Sequence, residues 1–133
     1  MTSPTRIVTG VDFVSIPTTD LAASMEFYGD VLGLERSSVW QQPGKDPVGA
    51  EFETGSLTLA LLDSAKLGIE VRLSNHPIAL RVDDVEAARA ELEARGVKFK
   101  ADTLDSGVCH QAFFDDPAGN TLALHHRYAP RGE

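Results

Sequence analysis

Val11–Leu34, VDFVSIPTTDLAASMEFYGDVLGL, decides the fold, because the chain writes it a second time as Asn75–Val97, NHPIALRVDDVEAARAELEARGV. Each copy reads as a short alternating strand, an aspartate-led helix start, an amphipathic helix and a glycine stop. Asp84 and Asp20, Leu80 and Ile16, and Leu92 and Tyr28 are each 64 positions apart, so the copies align without a gap. Thr58-Leu59-Ala60-Leu61 returns as Thr121-Leu122-Ala123-Leu124, now 63 positions on. A repeat present only twice is no solenoid; two such modules must bury their apolar faces against each other or across a dimer.

Working outward, Val14 and Ile16 alternate with Phe13, Ser15 and Pro17, the period of a strand with two unlike faces. Asp20 is placed to cap a helix whose stripe runs Leu21, Met25, Tyr28 and Leu32, and Gly33 closes it. Leu34 to Trp40, Val48 to Glu53 and Leu57 to Leu62 follow as strands, with QQPGKDP (Gln41–Pro47) and Thr54-Gly55-Ser56 as breaks. In the second copy Ile78, Leu80 and Val82 give the strand, and Asp83 or Asp84 caps the helix. Val85, Ala88 and Leu92 form its stripe, and Gly96 ends it. Val97–Lys100, Val108–Phe114 and Thr121–Tyr128 complete the set, giving βαβββ twice within one domain, in modules of about 7–64 and 75–128.

The totals set limits. A chain of 133 residues buries roughly two-thirds of its unfolded surface and needs no staples. The single cysteine, Cys109, has no intrachain partner, which fits a reducing compartment. The sequence has no apolar run long enough for a membrane span and no signal-peptide core, so a cytoplasmic protein is expected. With 20 acidic against 12 basic residues the net charge is −8 and there is no basic stripe, which argues against nucleic acid.

The pattern resembles the vicinal oxygen chelate superfamily, the group of glyoxalase I, extradiol dioxygenases and bleomycin-resistance proteins. Phe27-Tyr28 and Leu32-Gly33 match its "D…FY…LG" helix, Arg81–Val97 its "VDD…L…GV" helix, and Asp116–Leu122 (DPAGNTL) its "DPxGNxL" turn. The resemblance implies an α+β fold of two βαβββ modules forming a cupped mixed sheet, with helices on the outer face, a cleft inside the cup and commonly a homodimer. Strand alternation then puts Val14, Ile16, Ile78, Leu80, Val82, Leu122 and Leu124 under the helices. Phe13, Ser15, Pro17, Pro77, Ala79, Arg81, Thr121, Ala123 and His125 point into the cleft.

Metal-dependent members of the family carry His, Gln or Glu ligands at four equivalent strand positions. Here these hold Phe13, Ala60, Pro77 and Ala123, none of which offers an oxygen, nitrogen or sulfur donor. No metal or other cofactor is therefore expected at the family positions. A divalent metal displaced toward His125 is the alternative, with His110, Cys109, His76, Glu51 and Glu53 as further donors; His126 faces the other way.

The resemblance extends to metal-free members that trap an aromatic drug instead of transforming it. A small-molecule ligand held by Phe13, Ser15, Trp40, Pro77, Arg81, Phe113, Ala123 and His125 is thus the leading expectation, with Phe52 a further aromatic. Arg81 in that set favours an anionic or enolate group. If the chain is an enzyme, a lyase, isomerase or dioxygenase, the candidates for catalysis are His125, His110 and Arg81.

Overall fold

The computed structural model describes residues 7–71 and 77–130; His76 lies outside the described residues. Eight strands form two four-stranded mixed sheets. The first holds β1 (Val14–Thr18), β2 (Glu35–Trp40), β3 (Gly49–Glu53) and β4 (Thr58–Asp63), in the order β1-β4-β3-β2. The second holds β5 (Ile78–Arg81), β6 (Leu104–Asp105), β7 (Cys109–Asp115) and β8 (Thr121–Arg127), in the order β5-β8-β7-β6. In each sheet the first strand runs parallel to the last and the other pairs are antiparallel. The duplication survives in the register, Ile16 lying opposite Leu61 as Leu80 lies opposite Leu124.

Local chemistry sets the helices. α1 (Leu21–Glu26) starts where Asp20 accepts from the Ala23 amide at 3.1 Å, and α3 (Val85–Ala94) where Asp84 accepts from Ala87 at 3.0 Å. A short α2 (Ser64–Leu67), capped by Asp63, follows β4. Beyond Glu26 the first helix widens into a π-turn over Phe27–Val31 and stops at Gly33, whose φ of 77° favours glycine. Tyr28, fully buried there, touches Phe52 of the first module, while Phe27 touches Phe114 of the second. One core results. Ile16, Leu59 and Leu61 join Phe114, Leu122 and Leu124 beneath the helices.

Two expectations need correction. Val97–Lys100 is not a strand; a single bridge joins Phe99 to Phe114, and the edge strand is Leu104–Asp105 instead. Phe99 is held through its ring, 5.2 Å from that of Phe114 and 4.7 Å beneath the Arg89 guanidinium, so side-chain packing replaces the ladder. Phe52 is 1% exposed and belongs to the core, where the alternation of Gly49–Glu53 turns it away from the two glutamates.

The DPAGN turn joins the modules. The Tyr28 hydroxyl donates to Asp116 at 2.7 Å, and the Asn120 amide donates to the Pro17 carbonyl at 2.9 Å. Burial, followed by the Asp116 charge and its hydrogen bond, pushes the Tyr28 pKa far above the ordinary 10.0. The folded chain therefore keeps this proton where the unfolded chain has lost it, so stability declines as pH rises above about 10. Absorbance at 295 nm should show Tyr28 ionising only as the chain unfolds. Free titration of both tyrosines in folded protein would contradict this.

Candidate functional site

On each sheet the side away from the helices is concave, and the two concave sides differ in chemistry. In the first module Ser15 pairs with Ala60, which pairs with Glu51. Phe13, 40% exposed, meets Trp40 edge-to-face with ring centroids 5.8 Å apart. Phe13 immediately precedes β1 and Trp40 ends β2, the two strands at opposite ends of the sheet order. Two small residues make room. Ala60 is fully buried, and a Cβ on Gly49 would come within 2.8 Å of the Trp40 ring and 2.7 Å of the Leu61 carbonyl oxygen. Glu53, beyond the aromatic pair, accepts from the Ser37 and Thr58 hydroxyls, which hold its pKa below the usual carboxylate range.

The second module's wall is polar. Arg81, His125 and Gln111 stand opposite one another across β5, β8 and β7, and Ala79, Ala123 and Phe113 form the adjacent row. Arg81 is exposed, while His125, Gln111 and Phe113 are half-buried. Directly opposed side chains lie about 5 Å apart at Cβ, within reach of one small ligand. The sequence reading passed over Gln111, although alternation from Phe113 carries its signal.

The catalytic candidates are divided. His125 and Arg81 share the concave side, whereas His110 alternates onto the opposite side with Ala112 and Phe114. There His110 Nε2 lies 3.3 Å from Asp105, and its ring sits 4.8 Å from that of Tyr128, which donates to the same carboxylate at 2.7 Å. His126 pairs with His110 on that side. Cys109 is buried, its Sγ 4.0 Å from the Arg127 guanidinium.

Of the four residues at which the resemblance would put metal ligands, Phe13 and Pro77 are exposed and Ala60 and Ala123 are buried. Their side chains do not fit a divalent ion. Among the described residues no three His, Cys, Asp or Glu side chains gather as a ligand set. Nor is any helix among them long and apolar enough to cross a membrane.

A groove of about 600 Å3 lies between the modules along β5, α3 and the β3–β4 turn, and Ala79 and Arg81 of the second concave wall also line it.

Duplicated βαβββ sheets with these concave walls define a protein of the glyoxalase type. The model of the Glyoxalase/Bleomycin resistance protein/Dioxygenase superfamily matches residues 10–124, and the chain belongs to that superfamily. It is 30% identical over 121 residues to the uncharacterized protein YaeR of Escherichia coli K12, covering 86% of this chain and 94% of YaeR. Among solved structures it is similar to TnmS3, an antibiotic-binding protein from Streptomyces sp. CB03234, with a TM-score of 0.74 and 27% identity; the match covers 92% of this chain and 98% of TnmS3. It also shares its fold with lactoylglutathione lyase from Agrobacterium tumefaciens, at a TM-score of 0.69 and 21% identity, covering 90% and 95% of the two chains.

Proposed function

We propose that the chain is a metal-free small-molecule-binding protein that sequesters an aromatic ligand on its concave side without transforming it. The carrying observation is the Phe13–Trp40 pair set above Gly49 and Ala60. It offers an aromatic wall for stacking, while the family metal positions have no donors. The Arg81–His125–Gln111 row supplies hydrogen-bond donors for an anionic or carbonyl end of that ligand. Similarity to the antibiotic-binding TnmS3 supports this reading. Phe13 and Leu104 are exposed apolar residues, and facing them across two copies in a homodimer would enclose the ligand. The lone cysteine is in keeping with a reducing compartment such as the cytoplasm.

A panel of aromatic antibiotics, followed by ligand-observed NMR, tests the reading. Phe13→Ala should weaken a binder about tenfold, the effect of losing one aromatic contact. An unchanged affinity would remove the aromatic wall from the site.

The polar row also favours a second reading, a lyase, isomerase or dioxygenase with a displaced metal at His125. Elemental mass spectrometry of untagged protein separates the two. A stoichiometric transition metal lost in His125→Ala would establish the second reading.

A further inference from the structure

The concave wall of the second module changes character along its strands. Ala79, Ala123 and Phe113 make one row across β5, β8 and β7, and Arg81, His125 and Gln111 make the next. Two residues further along β8, alternation brings Arg127 to the same side, opposite Cys109. In this register the ladder bonds from Tyr128 N–H to Val108 and from Asp116 N–H to Asn120 fall on the even-numbered pairs. Gln111–His125 and Cys109–Arg127 are therefore the pairs without such bonds, whose Cα atoms approach to about 4.5 Å. Arg81 and Arg127 stand diagonally on neighbouring strands, roughly 8 Å apart at Cα, so two long side chains can close on one group. Within one face, an apolar row leads to an imidazole and two guanidinium groups.

Neither arginine is neutralised. Among the described residues Arg89 pairs with Glu93 and Arg95 with Glu91, but Arg81 and Arg127 form no ion pair. Asp84 is engaged as the cap of α3, and Asp83 is exposed. Asp115, the carboxylate beyond the apolar row, is held by Lys100 at 2.9 Å. Arg127 is half-buried and its donors are poorly used. Nη1 lies 4.0 Å from Cys109 Sγ, Nη2 donates to the Pro130 carbonyl at 3.3 Å, and the buried Nε–H has no acceptor among the described residues. A desolvated guanidinium N–H without an acceptor is unfavourable, so this side chain gains from an anion seated beside it. The first module's wall carries the opposite charge, in Glu51 and Glu53. The chain's net charge of −8 repels anions at long range, but salt screens that field beyond about 8 Å and leaves the two guanidinium groups to decide.

We propose that Arg127, together with Arg81, reads a negative charge on the ligand, so that the molecule held on the concave side is an aromatic acid. Its carboxylate, sulfonate or phosphate lies between the two guanidinium groups, and its apolar body runs from there over the Phe113 row. This inference rests on the binding reading above and selects a charged end over a neutral carbonyl. Arg127 is then a specificity-determining residue: it discriminates charge and contributes little to holding the ring. A guanidinium fork suits that task, because its paired N–H groups match the two oxygens of a carboxylate.

The test compares 2-naphthoate with its neutral counterpart 2-naphthamide, each titrated into 15N-labelled protein. Affinities are read from the His125 and Arg127 amides and from the arginine Nε–H signals. Naphthoate should bind about tenfold more tightly, the sum of two partly screened ion pairs. The Arg127 Nε–H signal should move with naphthoate and stay in place with naphthamide. Arg127→Gln should cut the preference about threefold by weakening naphthoate alone, and Arg127→Lys should keep part of it. Three results would overturn the inference and leave aromatic binding standing. These are naphthoate binding no tighter than naphthamide, a full preference retained in Arg127→Gln, and both probes weakened alike in that variant. Saturation by neither probe at millimolar concentration would remove aromatic binding together with it.

Discussion

Asp116→Ala is expected to cost roughly 3–5 kcal/mol of stability, the largest loss from any single substitution discussed. The Asp116 side chain, 5% exposed, accepts from the Tyr28 hydroxyl at 2.7 Å and from the Asn120 and Ala118 amides at 2.8 and 3.0 Å. It also accepts from the Asn120 side chain at 3.0 Å. Alanine would leave all four donors without this partner, and the Tyr28 hydroxyl, fully buried, is shut off from bulk solvent. Because Tyr28 belongs to the first module and Asp116 to the second, the loss falls on the seam between them. Urea denaturation measures it. Tyr28→Phe removes one of the four bonds and should cost about 1–3 kcal/mol. A loss below about 1 kcal/mol in Asp116→Ala would show that the DPAGN turn is not what joins the modules.

Gly49→Ala is expected to disturb the aromatic wall and to lower stability by about 1–3 kcal/mol, the usual cost of overpacking. The added methyl meets the Leu61 carbonyl oxygen at 2.7 Å, a backbone atom that cannot swing aside, and the Trp40 ring at 2.8 Å. Trp40 is the chain's only tryptophan, so its emission reports the displacement directly. The expected result is a red-shifted maximum together with about tenfold weaker binding of any ligand that stacks on the Phe13–Trp40 pair. An unchanged spectrum and affinity would mean that the indole does not rest on Gly49.

Much of the fold is legible in local chemistry. Asp20 and Asp84 read as caps because a carboxylate satisfies helix amides wherever it stands, and both do so at their first free turn. Ile16, Leu122 and Leu124 read as core because alternation is a property of the strand itself. Other features depend on how strands are brought together. The Phe13–Trp40 contact joins the residue before β1 to the end of β2, at opposite ends of a sheet, which spacing along the chain does not express. The failed strand at Val97–Lys100 shows the reverse case, where a suitable local pattern lost to the packing of Phe99 between Arg89 and Phe114. The duplication is also unequal where it matters, since Leu92 stands 64 residues after Tyr28 and has no hydroxyl to make the bond that Tyr28 makes to Asp116.

Titrating wild-type protein with aromatic antibiotics while following Trp40 emission, then recovering each ligand for mass spectrometry, is the most direct measurement of what the concave side does. Saturable quenching at one ligand per site, with the ligand recovered unchanged and no metal in the protein, is the expected result. Binding that leaves Trp40 emission untouched, or a ligand recovered chemically altered, would contradict sequestration at the Phe13–Trp40 wall.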